Sequence, residues 1–500
     1  RLLSGSFEHT MTDDFFRNRL DQMIDLRHPL AVLASRMPWQ EIEASLAQRW
    51  ARQVKAGKQI EDLDLFGPVA GVLGGGISNA GRPRLPTRLM VALLYLKHAF
   101  NESDEDVIQR WGETPTWQYF SGSEYFEHRW PCDPTQLGRF RKALGEEGVE
   151  ELLARTMEVA VSHKLIAKKE LTRVIVDSTV QEKAIAHPTD SKLLETARAK
   201  VVEAAKTHGI ELKQTFAKEG RQLNFKAARY AHARQYKRMR KAIQRQRTIV
   251  GRLQREVGRK MSTLGQAVQE TLAPTLTKAA RLVEQTGSRK TVGSQAKLYS
   301  WDAPEVECIS KGKSRNPYEF GVKVGLAMTL KGNLIVGARS FTGNPYDGHT
   351  LAEQIEQSTI LMQNLDVQPE VAYVDLGYRG VYQDNLQVQI KHRGKDKGLT
   401  DAERRLLKRR QAIEPIIGHL KADHRMDRCH LKGSEGDALH AVLCAAGYNI
   451  RWLLRMIVKK GLGLLLCLFQ ALGLAPICRN LAAILALTPP RPSSQRWVAA

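Results

Sequence analysis

The chain has 500 residues, 42% hydrophobic and 26% charged, enough apolar mass for a large core and about two to four domains. It carries 76 Lys and Arg against 53 Asp and Glu, a net charge of +23, with a pI of about 9.8; a surplus this size points to nucleic acid as partner, ahead of an anionic membrane. The six cysteines, Cys132, Cys308, Cys429, Cys444, Cys467 and Cys478, show no CxxC spacing, which excludes a zinc ribbon and a disulfide framework and fits a reducing cytosol.

No signal-peptide pattern opens the chain, and Met11 reads as the natural start, so residues 1–10 are set aside from the fold. Residues 11–66 read as helical: Asp13 and Asp14 precede Phe15, Phe16, Leu20 and Met23, spaced as on one helical face. Residues 67–86, with Gly74-Gly75-Gly76, read as a linker. It lacks Gly-Lys-Ser/Thr and is no phosphate-binding loop. From Thr87, read as a cap, residues 87–165 alternate helix and turn, and Asp133-Pro134 supplies an N-cap followed by proline at the first helical position. The helix after it carries Arg139, Arg141 and Lys142 on one side, a pattern that suits DNA-groove contact and suits plain helical packing equally.

At residues 173–177 the pattern changes to a β-branched run, Val174-Ile175-Val176, closing on Asp177. Residues 190–285 are then long, polar and helical. Within them Arg229, Arg234, Lys237, Arg238, Arg240, Lys241 and Arg245 crowd together with almost no acids. Few i,i+4 ion pairs can form there, so the stretch reads as a DNA-backbone grip rather than a solvated ion-pair ladder. Residues 319–328 and 334–341 read as a hairpin, 349–364 as a helix, and 371–375 as a strand closing on Asp375. Residues 386–390 read as a further strand, and Thr400-Asp401-Ala402-Glu403 as a capping box that opens a helix. The apolar stretch 462–478 is interrupted by Gln470 and Pro476 and reads as a packed helix, not a membrane span. Without its helical insert, the order of strand, two strands, helix, strand, strand, helix is that of a ribonuclease-H-like core: an α/β mixed sheet flanked by helices.

Asp177, Asp375 and Glu414 are the candidate metal ligands, two from strand ends and one from a helix. Phosphodiester cleavage needs an activated oxygen nucleophile and a neutralised leaving oxygen; divalent ions held by carboxylates supply both. Arg410, Glu414 and Lys421 fall within about 40° of one another on a helix, a carboxylate flanked by cations that suit phosphate. Pro415 must kink that helix or sit in its first turn. Asp347 competes with Asp375 as a ligand but lies in a loop. His419, His424, Cys429 and His430 match no zinc-finger spacing and read as structural or phosphate-contacting. Ser178 has no base beside it and is no nucleophile.

Arg410-x3-Glu414-x6-Lys421 resembles the Y-x2-R-x3-E-x6-K signature of DDE insertion-sequence transposases, and the IS-five group in particular. Further segments carry the resemblance: Phe15-Phe16-Arg17, residues 88–111, Val176-Asp177-Ser178-Thr179, Tyr318-Glu319-Phe320-Gly321-Val322-Lys323, Gly343-Asn344-Pro345-Tyr346-Asp347-Gly348-His349, Val374-Asp375-Leu376-Gly377-Tyr378-Arg379-Gly380 and residues 414–421. One departure stands out: the signature's tyrosine position is Leu407 here. The resemblance implies an RNase H-like catalytic domain in which Asp177, Asp375 and Glu414 bind two Mg²⁺, with Mn²⁺ a substitute. The implied activity is cleavage at element ends and transfer of the freed 3′-hydroxyl to target DNA. A cutting-only nuclease and an inactive DNA-binding regulator are the alternatives. Double-stranded DNA is the expected partner, held by a homodimer or larger assembly, with no membrane, in the bacterial cytoplasm at the nucleoid. The expected division is an N-terminal segment and linker at 1–80, a helical DNA-binding domain at 81–165, a catalytic domain at 166–455 with the basic insert at 190–295, and an apolar C-terminal helix and tail at 456–500.

Overall fold

The computed structural model describes residues 18–49, 58–64, 67–73, 84–261, 264–287, 297–310, 317–380, 387–394 and 400–471. Phe15-Phe16-Arg17, Met11 and the tail beyond 471 lie outside them. Helices α1 (Leu20–Met23), α2 (Pro29–Arg36) and α3 (Trp39–Arg49) come first. Strands β1 (Lys58–Asp64) and β2 (Gly67–Leu73) then pair antiparallel, where the sequence suggested helix end and linker. Two equal runs parted by two residues have hairpin spacing, a signal that the glycine content of the stretch obscures.

Helices α4 (Thr87–Phe100), α5 (Asp104–Glu113), α6 (Pro115–Phe120) and α7 (Pro134–Ser162) follow. Pro86, not Thr87, is the N-cap residue of α4, whereas Asp133 caps α7 as expected, its carboxylate accepting from Thr135 N at 2.9 Å. Gly145, at φ 64° and ψ −175°, breaks α7 into two helical arms; only glycine takes that backbone region readily. The buried side chains of α4, among them Leu93, Leu94 and Leu96, join one continuous apolar cluster with Val174, Ile175, Leu326 and Ala372 of the sheet. The helices at 84–162 therefore share their core with the six-stranded sheet.

That sheet has six strands, with β3 (Arg173–Glu182), β4 (Glu307–Ser310), β5 (Tyr318–Thr329), β6 (Ile335–Phe341), β7 (Val371–Tyr373) and β8 (Gln389–Lys391). Their order is β4-β5-β3-β7-β8, with β6 also on β5. The expected hairpin is β5–β6; β3 runs antiparallel to β5 and parallel to β7. The outer edge of β6 is capped by side chains. Asn449 accepts from Ile335 N at 3.0 Å and donates to Ile335 O at 2.8 Å, and Gln357 does the same for Ala338, at 3.0 Å each way. Such cover closes an edge that would otherwise template another strand.

Between β3 and β4 the chain leaves the sheet and builds a second bundle: α8 (Asp190–Thr207), α9 (Ala217–His232), α10 (Tyr236–Met261) and α11 (Gln266–Gln285). Ile249, Leu253 and Val257 recur every four residues on α10 and pack with Leu194, Val201, Leu272 and Leu282 in a core of their own. The root of this insert is pinned by Lys183, whose buried ammonium lies 2.9 Å from Glu305 and 2.8 Å from Asp437. After β6 come α12 (Asp347–Leu361), β7, β8, α13 (Asp401–Arg409), α14 (Ile413–Asp423) and α15 (Gly433–Ala471). The capping box at Thr400 and Glu403 is present. The 433–461 part of α15 is long and apolar enough to cross a membrane, but two thirds of its window is buried in the protein, against α4, α7 and β6. It is the central helix of the core.

Candidate active site

Asp177 stands in the middle of β3, not at a strand end as the sequence suggested. Ser178, Thr179, Val180 and Gln181 continue the antiparallel ladder with β5. What ends near Asp177 is the neighbour: parallel pairing with β7 covers Arg173–Val371, Val174–Ala372 and Ile175–Tyr373, then stops. Carried two residues further, this register sets Asp177 level with Asp375, which opens the short helical turn Leu376–Tyr378. Two carboxylates thus lie level, one on β3 and one just past β7, where the pairing of these strands has ended. Asp177 is held in place by its neighbour in the strand, since Ser178 N donates to its Oδ1 at 2.8 Å.

Glu414 arrives from the other side, in the first turn of α14. Pro415 follows it within that turn, where its missing N–H costs no helical hydrogen bond. Arg410 is not on the helix that bears Glu414. It begins a separate single turn, Arg410–Ala412, between α13 and α14. From there its guanidinium reaches all three acids: Nη1 donates to Asp177 Oδ2 at 3.3 Å, and Nη2 lies 3.5 Å from Asp375 Oδ1 and 3.9 Å from Glu414 Oε1. Asp177 and Arg410 are mostly covered, at 19% and 15% side-chain exposure, while Asp375 and Glu414 are open at 55% and 64%. The three carboxylates therefore surround a single guanidinium. A set of hard oxygen donors around one positive charge fits Mg²⁺ or Mn²⁺.

The other cations of the signature go elsewhere. Lys421 lies 3.8 Å from Glu319 of β5, so it meets an acid of the sheet rather than the triad. Leu407 is buried in the main core. Arg409, which sequence reasoning missed, donates to Leu330 O, Lys331 O and Asn333 Oδ1 at 3.2, 3.3 and 3.0 Å, and so locks the α13–α14 joint onto the β5–β6 turn. Asp347 stands beside the site but is committed: Ser178 Oγ donates to its Oδ1 at 2.9 Å, and Lys323 Nζ lies 3.0 Å away. Lys323 is part of the Tyr318–Lys323 segment that the sequence singles out, but nothing local in sequence pairs it with Asp347 of α12. Tyr378 is buried nearby, its phenol pushed well above the ordinary value by burial and then by the charges of Asp177 and Asp347.

Arg141 is a correction. Its side chain is buried and ion-paired with Asp104 at 2.6 Å, beside Lys97, which also reaches Asp104 at 2.6 Å. It packs the helices and does not face DNA; Arg139 and Lys142 are exposed. Burial, followed by the charge of Arg141, lowers Lys97 to about 8. In the insert, Arg229, Arg234, Lys237, Arg238, Arg240, Lys241 and Arg245 are all exposed, and Arg245 pairs with Glu219 at 2.7 Å.

The four zinc candidates do not cluster. His419 pairs with Asp423 at the surface, His424 is buried against His98 O, and Cys429 lies beside the end of β3. A different buried group forms instead, with ligand atoms of His98, His440 and Cys444 within 4.8 Å of one another. Burial, then the nearby cations and rings, holds its histidines neutral, His440 down to about 3.

Comparison with known proteins agrees in two places. Residues 18–143 match the family model described as a transposase domain, DUF772, and residues 283–450 match the one described as the transposase DDE domain. A protein of Rhizobium meliloti, called uncharacterized protein ORF8 in nfe locus, is 41% identical over 224 residues, 45% of this chain and 95% of that protein. No solved structure matches. Asp375 and Glu414 fall inside the DDE match, whereas Asp177 lies between the two matched segments and rests on geometry.

Proposed function

Because the chain belongs to the DDE-domain transposases, DNA-acting enzymes that depend on a divalent metal, we propose that Asp177, Asp375 and Glu414 form its metal-binding catalytic centre. In this reading it cleaves DNA at the ends of an insertion element and joins the freed 3′-hydroxyl to target DNA. The observation that supports it is the meeting of three carboxylates, from β3, the end of β7 and α14, on one guanidinium. Mg²⁺ ions, two of them with Mn²⁺ as substitute, supply when bound the charge that activates an oxygen nucleophile and stabilises the leaving oxygen.

The chain's own groups do the rest. Asp177, the most covered acid, sets the floor of the site from the middle of β3, where the ladder with β5 continues. Glu414 closes it from a helix whose register Arg409 fixes. Arg410 offers its fork of donors to the phosphates beside the scissile bond. Arg139, Lys142 and the exposed cations of α9 and α10 hold the duplex by its backbone. Two element ends must be held together, so the working form is a homodimer or larger assembly on DNA.

The test uses duplexes carrying the DNA that flanks the chain's own gene, incubated with the purified protein and Mg²⁺. Nicked ends followed by joined product support the proposal, and both are absent with Asp177→Asn. Nicks that never join would leave a nuclease. Duplex binding without nicks would leave an inactive regulator.

A further inference from the structure

We propose that Arg410 competes with divalent ions for the three carboxylates, so that metal loading releases it to capture a DNA phosphate. This rests on the reading of Asp177, Asp375 and Glu414 given above and adds a coupling between metal and DNA. The guanidinium is largely covered and touches every acid of the triad, yet only the Asp177 contact, at 3.3 Å, has hydrogen-bond geometry. The contacts at 3.5 and 3.9 Å are loose ion pairs. A bidentate, short fork would hold far more firmly; this one is placed to neutralise and to let go.

The backbone fits the same role. Arg410 opens a separate turn between two helices, and the fixed side of that joint is handled by Arg409, which binds carbonyls of the β5–β6 turn. Arg410 can therefore swing while its neighbour keeps the joint in register. One positive charge on three carboxylates leaves the group net negative, which still attracts a divalent ion. Once the ion is bound, guanidinium and metal repel at close range. The released side chain presents planar paired donors that match a phosphate. By linkage, a duplex that holds Arg410 away must tighten metal binding, and metal must tighten duplex binding by the same factor.

The experiment is a Mn²⁺ titration of the full chain, read by the electron-spin signal of free Mn²⁺, for the wild type, Arg410→Gln, Arg410→Lys and Asp177→Asn. Removing the competing charge is expected to lower the Mn²⁺ Kd about tenfold in Arg410→Gln, with Arg410→Lys between it and the wild type. Added duplex lowers the wild-type Kd and leaves that of Arg410→Gln unchanged. Saturating Mn²⁺ raises the melting temperature more in Arg410→Gln than in the wild type, because its carboxylates otherwise repel one another. Should Arg410→Gln fail to fold, Arg410→Lys carries the test, since one ammonium cannot span three acids and its Kd must still fall. Unchanged or weaker Mn²⁺ binding in the Arg410 variants, with binding still lost in Asp177→Asn, overturns the competition and leaves the metal site standing. Mn²⁺ binding indifferent to Asp177→Asn overturns the metal site and this inference together.

Discussion

Arg410 and the arginines of α10 are the same residue type on the same basic chain, and they do opposite things. At the sheet, one guanidinium is drawn between three acids and mostly covered. On the insert, Arg238, Arg240 and their neighbours stand in solvent around a separate apolar core. Arg141 is a third case, buried against Asp104 inside the helical layer. Charge alone does not distinguish an exposed basic face, a cation among converging acids and a structural ion pair. Burial and the acids within reach do, because a covered cation needs a partner and an exposed one gains little from it.

The largest effect should come from the acids. Asp375→Asn and Glu414→Gln should each cut strand cleavage by about a thousandfold or more, in line with loss of a directly acting catalytic group. Duplex affinity without divalent metal should stay near wild type, measured by anisotropy in the same preparations. Loss of binding along with cleavage would erase the line between the two regions. Next, replacing Lys237, Arg238, Arg240 and Lys241 together with Ala should weaken duplex binding strongly and flatten its salt dependence, by about 0.9 in log–log slope for each phosphate contact removed. The melting temperature should hardly move; an unaltered slope would return α10 to a plain solvated face.

Arg141→Ala and Arg139→Ala sharpen the comparison within one helix. The first should cost about 2 kcal/mol in denaturant unfolding because it removes a buried charged hydrogen bond to Asp104 and the packing of its stem, while Lys97 keeps Asp104 paired. The second should stay within about 0.5 kcal/mol, as exposed substitutions do. Equal costs would place both on the same face. A last prediction concerns pH. His440 and His424 are held to about 3 and about 4, in both cases chiefly by burial, below the ordinary histidine value of about 6.5. A depressed folded value means the unfolded chain takes up the proton first. Their contribution is therefore intact above about pH 6.5 and is lost progressively as pH falls toward the folded values. Unfolding melts from pH 7 to pH 5 should show the fall, and His440→Gln should make it shallower.

Much of the framework was legible locally. The β5–β6 pair, α12, the Thr400 capping box and the Asp133 cap all depend on spacings of a few residues, which sequence shows directly. The β1–β2 hairpin was hidden by glycine, and β3 was read too short because an aspartate was taken for its end, although the β-branched pattern resumes at Thr179 and Val180. Arg141 was misjudged because a helix of mixed charge does not reveal which side is covered; that depends on Asp104 and Lys97, on other helices. The contacts of Arg409 with the β5–β6 turn and of Lys323 with Asp347 are illegible in sequence for the same reason.

By itself the sequence settled which residue types are present to do chemistry, the order of the elements from the β5–β6 hairpin onward, and the strong basic bias of the insert. These are properties of composition and of short-range periodicity. Only the tertiary structure decided that Asp177, Asp375 and Glu414 converge, and that Arg410 rather than Lys421 stands among them. Asp177 and Arg410 are 233 residues apart, and what joins them is the pairing of β3 with β7 and the docking of the α13–α14 joint on the sheet. Such long-range contacts arise from burial and strand register across the whole chain, which no local pattern encodes.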